Sequence, residues 1–320
     1  MNNGQPLVSI LMPLFNSEKF LLETLMSCIN QIYANVEIII VDDGSTDESL
    51  TIAQNYAANY EYIKVYQQKN SGACRARNLA FEKCHGDYVM YLDADDVLSP
   101  NYVSKHLSLL AHLGCESVSF CPWDRFYSNL EEAKFPSLNI YKHYDDAFQL
   151  LLDMWNDGSM LQTSCYMVPR QLVEKSGGWD ETVLKNQDGE FFSRILMLAK
   201  KAYFVPEAKV YYRTGDYLSV SKATSKEKVA SMLDTFISYR KNALAKEDSE
   251  RVRKALAVNF TLFMYIHGNQ FPDLKDKARK EIICLGVGYQ LNVEPERVKC
   301  ICKIIGFENF LRLRYFIMRR

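Results

Sequence analysis

The nine cysteines of this 320-residue chain include no C-x-x-C pair. The closest two, Cys300 and Cys302, have neither the spacing nor the histidine partners of a zinc site, so the thiols read as reduced and mostly buried. Nowhere do about 20 apolar residues run without interruption, as a membrane-spanning helix requires. The opening stretch MNNGQPLVSILMPLF has no basic segment ahead of its apolar run, and Pro13 breaks that run. No signal peptide is therefore expected, and a reducing cytoplasm is the expected compartment. Charge of either sign is not in excess: 38 Lys and Arg face 39 Asp and Glu, which removes any whole-molecule argument for nucleic-acid binding. No internal repeat or low-complexity tract is present.

Glycine is missing where two nucleotide-binding classes need it. The first apolar strand runs into Pro13-Leu14-Phe15-Asn16-Ser17. A nicotinamide-dependent dehydrogenase would place G-x-G-x-x-G there. A nucleotidyltransferase would place a glycine-rich, basic phosphate loop.

What is present is an alternation of short apolar, β-branched runs with helix-like stretches over residues 7–122, the pattern of a mostly parallel sheet with crossover helices. The spacing predicts strands at Leu7–Leu14, Val36–Val41, Tyr62–Tyr66, Tyr88–Leu92 and Ser117–Cys121, near-continuous apolar runs that suit burial on both faces. Helices are predicted at Ser17–Gln31, with Ser17 as cap, at Asp47–Ala58 and at Ala73–Cys84. Each begins just past a strand's C-terminal end, the edge where open parallel sheets bind ligands. Residues 123–160 read as irregular around one helix, Asp145–Trp155. Leu161–Val168 reads as a strand, Gly189–Lys200 as a helix, and Ala202–Val205 and Lys209–Arg213 as short strands. A boundary falls near 215–225, and the pattern beyond it is helical. The expected organisation is a catalytic domain over 1–222 and a helical region over 223–320.

Acidic residues directly after apolar strands are informative, because a carboxylate beside a core is costly unless something pairs with it. The sequence does this twice, at Asp42-Asp43-Gly44-Ser45 and at Asp93-Ala94-Asp95-Asp96. Asp93 and Asp95 can present two carboxylates to one divalent cation, Mn²⁺ or Mg²⁺, which can also hold diphosphate oxygens. Asp42 and Asp43 can cap the following helix, or one of them can accept a hydrogen bond from a pyrimidine imide.

Taken in order, Pro13-Leu14-Phe15-Asn16, Val41 to Asp47, Asn70-Ser71-Gly72-Ala73-Cys74-Arg75-Ala76-Arg77-Asn78 and Asp93 to Asp96 resemble the family 2 inverting glycosyltransferases of the GT-A fold. That family's N-terminal half reads P-x-x-N, V-D-D-G-S-x-D, N-x-G-x-x-x-A-R-N and D-x-D-D. The resemblance covers residues 7–222 and implies a nucleotide-binding half over 7–122 and an acceptor and base region over 123–222. It implies that Asp42 or Asp43 reads the base of a nucleoside diphosphate, usually UDP. Arg75, Arg77 and Asn78 would lie near the nucleotide sugar, and Asp93 and Asp95 would serve ribose and metal. Guanidinium forks suit a diphosphate, although Arg77 can equally pair with a carboxylate of the D-x-D loop.

An inverting transfer also needs a base for the acceptor hydroxyl. The family places it in a short E-D-like segment after a G-G-F/W-D-E turn. Here Gly177-Gly178-Trp179-Asp180-Glu181 is followed by Asn186-Gln187-Asp188-Gly189-Glu190, so Asp188 is the candidate base. Gln187 stands where Glu is commoner, and Glu190 is the alternative. Trp179 can stack on a sugar or lie in the core. Val210-Tyr211-Tyr212-Arg213 and Ser219-Val220-Ser221 resemble the stretch that closes over the diphosphate. Gly215 occupies the place of a frequent histidine, so Asp95, phosphates and water are the expected metal ligands, with Arg213 in reach of the diphosphate.

Beyond residue 222 no motif carries chemistry. Residues 297–320 hold seven basic side chains (Arg297, Lys299, Lys303, Arg312, Arg314, Arg319, Arg320) against one acid, Glu308, interleaved with apolar residues. A basic amphipathic helix pair can lie on an anionic membrane surface at the inner face of the cell membrane, pack on the catalytic domain, or form a homodimer. The implied acceptor is a glycan or a lipid-linked glycan. The rival from another class is a sugar-nucleotide-binding module without catalysis.

Overall fold

A computed structural model describes residues 4–111, 113–215 and 225–318. Strands in chain order are β1 (Val8–Leu14), β2 (Val36–Asp42), β3 (Ile63–Gln67), β4 (Tyr88–Tyr91), β5 (Val97–Leu98), β6 (Ser117–Phe120), β7 (Trp123–Phe126), β8 (Tyr166–Pro169), β9 (Lys201–Phe204) and β10 (Val210–Arg213). Helices are α1 (Leu21–Ile29), α2 (Ser49–Asn59), α3 (Ala73–Lys83), α4 (Tyr102–Leu110), α5 (Ala147–Asp157), α6 (Arg170–Ser176), α7 (Gln187–Leu198), α8 (Lys226–Lys246), α9 (Glu250–His267), α10 (Pro272–Leu285), α11 (Glu296–Ile305) and α12 (Phe307–Met318). Within the described residues the chain divides into two compact units. The first comprises Met1–Leu150, Leu161–Thr182 and Arg194–Leu218, and the second Leu151–Met160, Val183–Ser193 and Ser219–Arg320.

The first unit holds a seven-stranded sheet in the order β3-β2-β1-β4-β8-β6-β9 and a three-stranded sheet in the order β5-β10-β7. β1 runs parallel to β2 and β4, and β2 to β3, whereas β8 is antiparallel to β4 and β6. β1 is central because Val8, Ile10, Leu11, Met12 and Leu14 are all fully buried; each such aliphatic side chain contributes about 1.5–3 kcal/mol. The chain leaves β1 towards β2 and β3, then returns to place β4 on the other side. That reversal makes the C-terminal ends of β1 and β4 the switch point of the sheet, where ligands of open α/β folds bind. Pairing of β1 with β4 ends at Leu11↔Tyr91. Pro13 lies two residues further on, past any β4 partner that would use its missing N–H.

Several expectations are corrected. Leu161–Val168 is not one strand: a 3₁₀ turn at Thr163–Cys165 precedes β8. Residues 123–160 contain β7, whose Asp124 and Arg125 hide the apolar alternation. Ser17 does not cap α1: the helix starts at Leu21 without a side-chain cap, and the Ser17 carbonyl accepts from Phe20 N and Leu21 N. α7 begins at Gln187, two residues before the expected Gly189, which brings Asp188 into its first turn. Ser219-Val220-Ser221, Arg319 and Arg320 lie outside the described residues.

In the second unit α8, α9 and α10 pack on one another around Val229, Leu233, Tyr239, Phe260, Phe263 and Ile282. No helix among the described residues is long and apolar enough to cross a membrane.

The end of the sheet away from the acidic clusters is closed by a small network. Ser9 Oγ donates to Glu37 Oε1 at 2.6 Å, and Gly86 N donates to Ser9 Oγ at 2.8 Å. A Cβ on Gly86 would meet Ser9 Oγ at 2.4 Å, Ser9 N at 2.7 Å and Tyr88 O at 2.9 Å. Two of those atoms are backbone of the central strands, so Gly86→Ala should destabilise by about 1–3 kcal/mol, read as a lower urea midpoint at unchanged m-value.

Candidate functional site

β2 delivers Asp42 and Asp43 at its C-terminal end, in register with Leu14 of β1. Both are buried, at 2% and 4% exposure, and they make different bonds. The Asp42 carboxylate accepts from Ser45 N, at 3.2 and 3.3 Å, inside its own turn. The Asp43 carboxylate accepts from Gln68 Nε2 at 2.7 Å, Ser71 N at 2.7 Å and Gly72 N at 2.8 Å. It thereby fixes the Asn70-Ser71-Gly72 loop and sits at the N-terminal, positive end of α3.

α3 carries the basic motif. Arg77 is buried and pairs with Asp93 at 2.7 Å, with its guanidinium 4.5 Å from the Trp179 ring centre. Arg75 pairs with Glu181 at 3.0 Å. Asn78 Nδ2 donates to Trp179 O and Glu181 Oε1, at 2.9 and 3.0 Å, while its Oδ1 accepts from Trp179 N at 2.8 Å. The Arg-x-Arg-Asn run thus clamps the Gly-Gly-Trp-Asp-Glu turn. Trp179 itself is 3% exposed and lies edge-on to Tyr91, so it is a core residue rather than an open stacking platform.

β4 ends at Tyr91, and Asp93, Ala94, Asp95 and Asp96 follow in the turn before β5. Thr24 Oγ1 donates to the Ala94 carbonyl at 3.1 Å, fixing that turn to α1. Asp96 is fully buried and accepts from Arg213 N at 3.0 Å and Gln162 Nε2 at 2.9 Å. Burial, then the charges of Asp95 and Asp93, push the Asp96 carboxyl well above the ordinary carboxylate range. Burial and the Asp93 charge likewise push Asp95 up to about 6. Among the described residues no other residue donates a hydrogen bond to the Asp95 carboxylate; its carbonyl, not its side chain, accepts from Arg213 Nε at 2.9 Å.

Arg213 is buried. Its guanidinium pairs with Glu23 and packs over Phe20 and Phe126, at 4.8 and 4.3 Å from the ring centres. In this structure it holds the D-x-D turn in place rather than projecting into solvent.

No group of three or more His, Cys, Asp and Glu side chains among the described residues is arranged to hold a metal ion alone. A cation held jointly with a diphosphate nevertheless fits the donor set. Asp95 offers a hard oxygen ligand with no hydrogen-bond donor from another of the described residues, in a cluster of like charges that a divalent ion would relieve.

The structure therefore brings together Asp42, Asp43, Asn70, Gly72, Arg75, Arg77, Asn78, Asp93, Ala94, Asp95 and Arg213, with Pro13 on β1, in one unit. Asp188 belongs to the second unit, in the first turn of α7, and Glu190, the alternative base, is buried. Sequence reasoning missed Gln162 and Glu23. Each is an isolated polar residue with no motif, and only the fold carries it to Asp96 or Arg213.

Asp95 makes the ligand-free protein sensitive to pH. Its folded pKa lies above the ordinary value, so the group favours folding only while protonated, and that contribution is lost as pH rises towards about 6. Asp95→Asn should raise Tm by about 2–4 °C at pH 7.5 and by nothing measurable near pH 4, checked by thermal melts across that range.

Comparison with known proteins bears on the family and the fold. Residues 9–175 match the model of glycosyl transferase family 2. A putative teichuronic acid biosynthesis glycosyltransferase of Bacillus subtilis, TuaG, is 40% identical over 271 residues, covering 77% of this chain and 99% of the relative. An uncharacterized glycosyltransferase of Haemophilus influenzae is 41% identical over 108 residues, a third of this chain (33%) and 43% of the relative's length. Among solved structures, S. aureus TarS 1-349 in complex with UDP-GlcNAc superposes with a TM-score of 0.69 at 18% identity, over 96% of this chain and 90% of that one. The mannosyltransferase PcManGT of Pyrobaculum calidifontis, in complex with GDP-Man and Mn²⁺, gives 0.56 at 15% identity, over 98% and 86%. At those identities the structural likeness speaks for the GT-A fold alone, but the family match spans more than half of the chain, and the protein is a glycosyltransferase that belongs to glycosyl transferase family 2.

Proposed function

We propose that the protein transfers a sugar from a UDP-sugar to an acceptor hydroxyl with inversion at C1, in one displacement. The observation that carries this reading is the gathering of Asp93, Asp95, Asp96 and Arg77 at the switch point of the sheet, beside the two carboxylates that end β2. Asp43, oriented by three donors, keeps acceptor capacity for a uracil imide N–H and is the better-fixed candidate for reading the base; the Asp42 carboxylate is engaged within its own turn. Asp93 would serve the ribose, and Arg75, Arg77 and Asn78 the nucleotide-sugar side of the site. Asp95, with Asp93 beside it, would hold Mn²⁺ or Mg²⁺ together with the diphosphate. When bound, such an ion offsets negative charge on the departing UDP. The UDP-GlcNAc bound to TarS, and the GDP-Man and Mn²⁺ bound to PcManGT, support the same ligand class.

Asp188 would take the acceptor's hydroxyl proton as that oxygen attacks C1 and the bond from C1 to the diphosphate oxygen breaks. On this reading 7–122 binds the donor, 123–222 supplies base and acceptor contacts, and 223–320 is a helical appendage. The teichuronic acid role in the name of the Bacillus relative supports a cell-surface polysaccharide or lipid-linked glycan as acceptor. In the C-terminal helix pair, Ile304, Phe316 and Ile317 are 84%, 58% and 62% exposed, and Arg297, Lys303 and Arg312 form no salt bridge among the described residues. Exposed apolar side chains beside unpaired cations support contact with an anionic membrane surface at the cytoplasmic face.

Asp188→Asn should lower the transfer rate by about 10²–10⁴-fold while UDP affinity changes less than about twofold. The wild-type product should carry the anomeric configuration opposite to the donor's by NMR. Intact transfer in the variant would remove Asp188 from the base role, and a retained configuration would remove the single displacement.

A further inference from the structure

The segment that carries Asp188 begins with an unusual backbone. Asn186, directly before α7, has φ 67°, in the left-handed region that few residues other than glycine adopt. Its carbonyl accepts the first helical bond, from Glu190 N at 3.0 Å. Its side-chain amide donates to Tyr239 Oη at 2.7 Å and to Thr235 Oγ1 at 2.9 Å, both on α8. Nothing larger than glycine fits next to this junction: a Cβ on Gly189 would lie 2.4 Å from both Asn186 Oδ1 and Tyr239 Oη. Tyr239 is held in turn. It is 3% exposed, stacks on Trp155 with ring centres 5.1 Å apart, and touches Phe236 at 5.6 Å. Thr235 is anchored by its own bond to the Met232 carbonyl at 2.7 Å.

A backbone held in a sparsely populated conformation costs of order 1–3 kcal/mol and persists only where its surroundings fix it. Here the fixing groups lie on α8, and they, like Asn186 and Asp188, fall outside residues 9–175 that match the family. Asn186 is two residues from Asp188, so the direction in which α7 starts sets where that carboxylate stands.

We infer that Tyr239 and Thr235 of α8, acting through the Asn186 side chain, form the positioning device for Asp188, so that the C-terminal helical region is part of the transferase machinery. This rests on the reading of Asp188 as the base. Tyr239 is suited to the task because burial, together with the negative charges of Asp188 and Glu190, keeps its phenol protonated at any working pH. The bond network at Asn186 therefore does not titrate alongside the base.

The experiment is a kinetic cycle on the full chain with Tyr239→Phe, Asn186→Gly, Asp188→Asn and the double variants with Asp188→Asn. Tyr239→Phe removes only the hydroxyl. Asn186→Gly keeps the left-handed backbone available and removes only the amide. Each is expected to lower kcat by about 10–100-fold, with KM for the UDP-sugar unchanged and Tm within a few degrees of wild type. In the Asp188→Asn background neither should lower the residual rate further, because a device that works through Asp188 has nothing left to position. Wild-type kcat in Asn186→Gly, or an equal loss with and without Asp188, would overturn the proposal. Should Tyr239→Phe fail to fold, Asn186→Gly carries the same test. Full activity of Asp188→Asn itself would instead refute the base assignment, so the two failures are distinguishable.

Discussion

Five carboxylates at the C-terminal ends of two central strands set the terms for the rest of this structure. Asp42 ends β2 and Asp43 follows it, and Asp93, Asp95 and Asp96 follow β4, all next to a core in which every residue of β1 except Pro13 is buried. Buried negative charge must be met by donors or cations, and the fold can be read as the set of answers. The Asn70-Ser71-Gly72 loop turns its N–H groups to Asp43. α3 enters at the angle that brings Arg77 to Asp93. Gln162 and the Arg213 backbone, from distant parts of the chain, converge on Asp96. Asp95 is the member whose carboxylate has no donor from another of the described residues, and burial beside Asp93 raises its pKa accordingly.

The same contacts give the site its rigidity. Arg77 and Asn78 lie one residue apart on the axis of α3, and one reaches the D-x-D turn while the other holds the Trp179 turn. A single helix therefore ties the acidic turn after β4 to the Gly-Gly-Trp-Asp-Glu turn. Arg213 gives a second tie, joining Glu23 of α1 to the Asp95 carbonyl. Arg77, Asn78 and Arg213 thus have positions fixed by protein partners, as preorganised sites require.

Much of this was legible in the sequence for a physical reason. Strands buried on both faces read as unbroken apolar runs, and acids that end such runs stand out because they are expensive there. β1 to β4, α2 and α3 were accordingly placed within a residue or two, whereas α1 starts four residues later than expected. The misses have equally specific causes. β7 was hidden by Asp124 and Arg125, and β5 is two residues long. Residues 161–165, Leu-Gln-Thr-Ser-Cys, lead into the apolar strand β8, but Thr163–Cys165 curl into a 3₁₀ turn whose cap, Gln162, bonds Asp96. The partnership of Glu23 with Arg213 spans most of the catalytic unit, and the left-handed Asn186 has no signature apart from the glycine three residues on. The acidic and basic residues of the four N-terminal motifs lie in the first unit, whereas Asp188 lies in the second. What each one bonds to, and hence whether it holds the fold or awaits a ligand, came only from the structure.

The central claim is that the charge deficit around Asp95 is met by a divalent cation that arrives with a nucleoside diphosphate. Calorimetric titration of UDP into the wild-type protein and Asp95→Asn, with and without Mn²⁺, tests it most directly. The account predicts that Mn²⁺ tightens UDP binding at least about tenfold in the wild-type protein, a difference of about 1.4 kcal/mol, and leaves the variant unmoved. Equal UDP affinity with and without Mn²⁺ in the wild-type protein, or the same enhancement in Asp95→Asn, would contradict it.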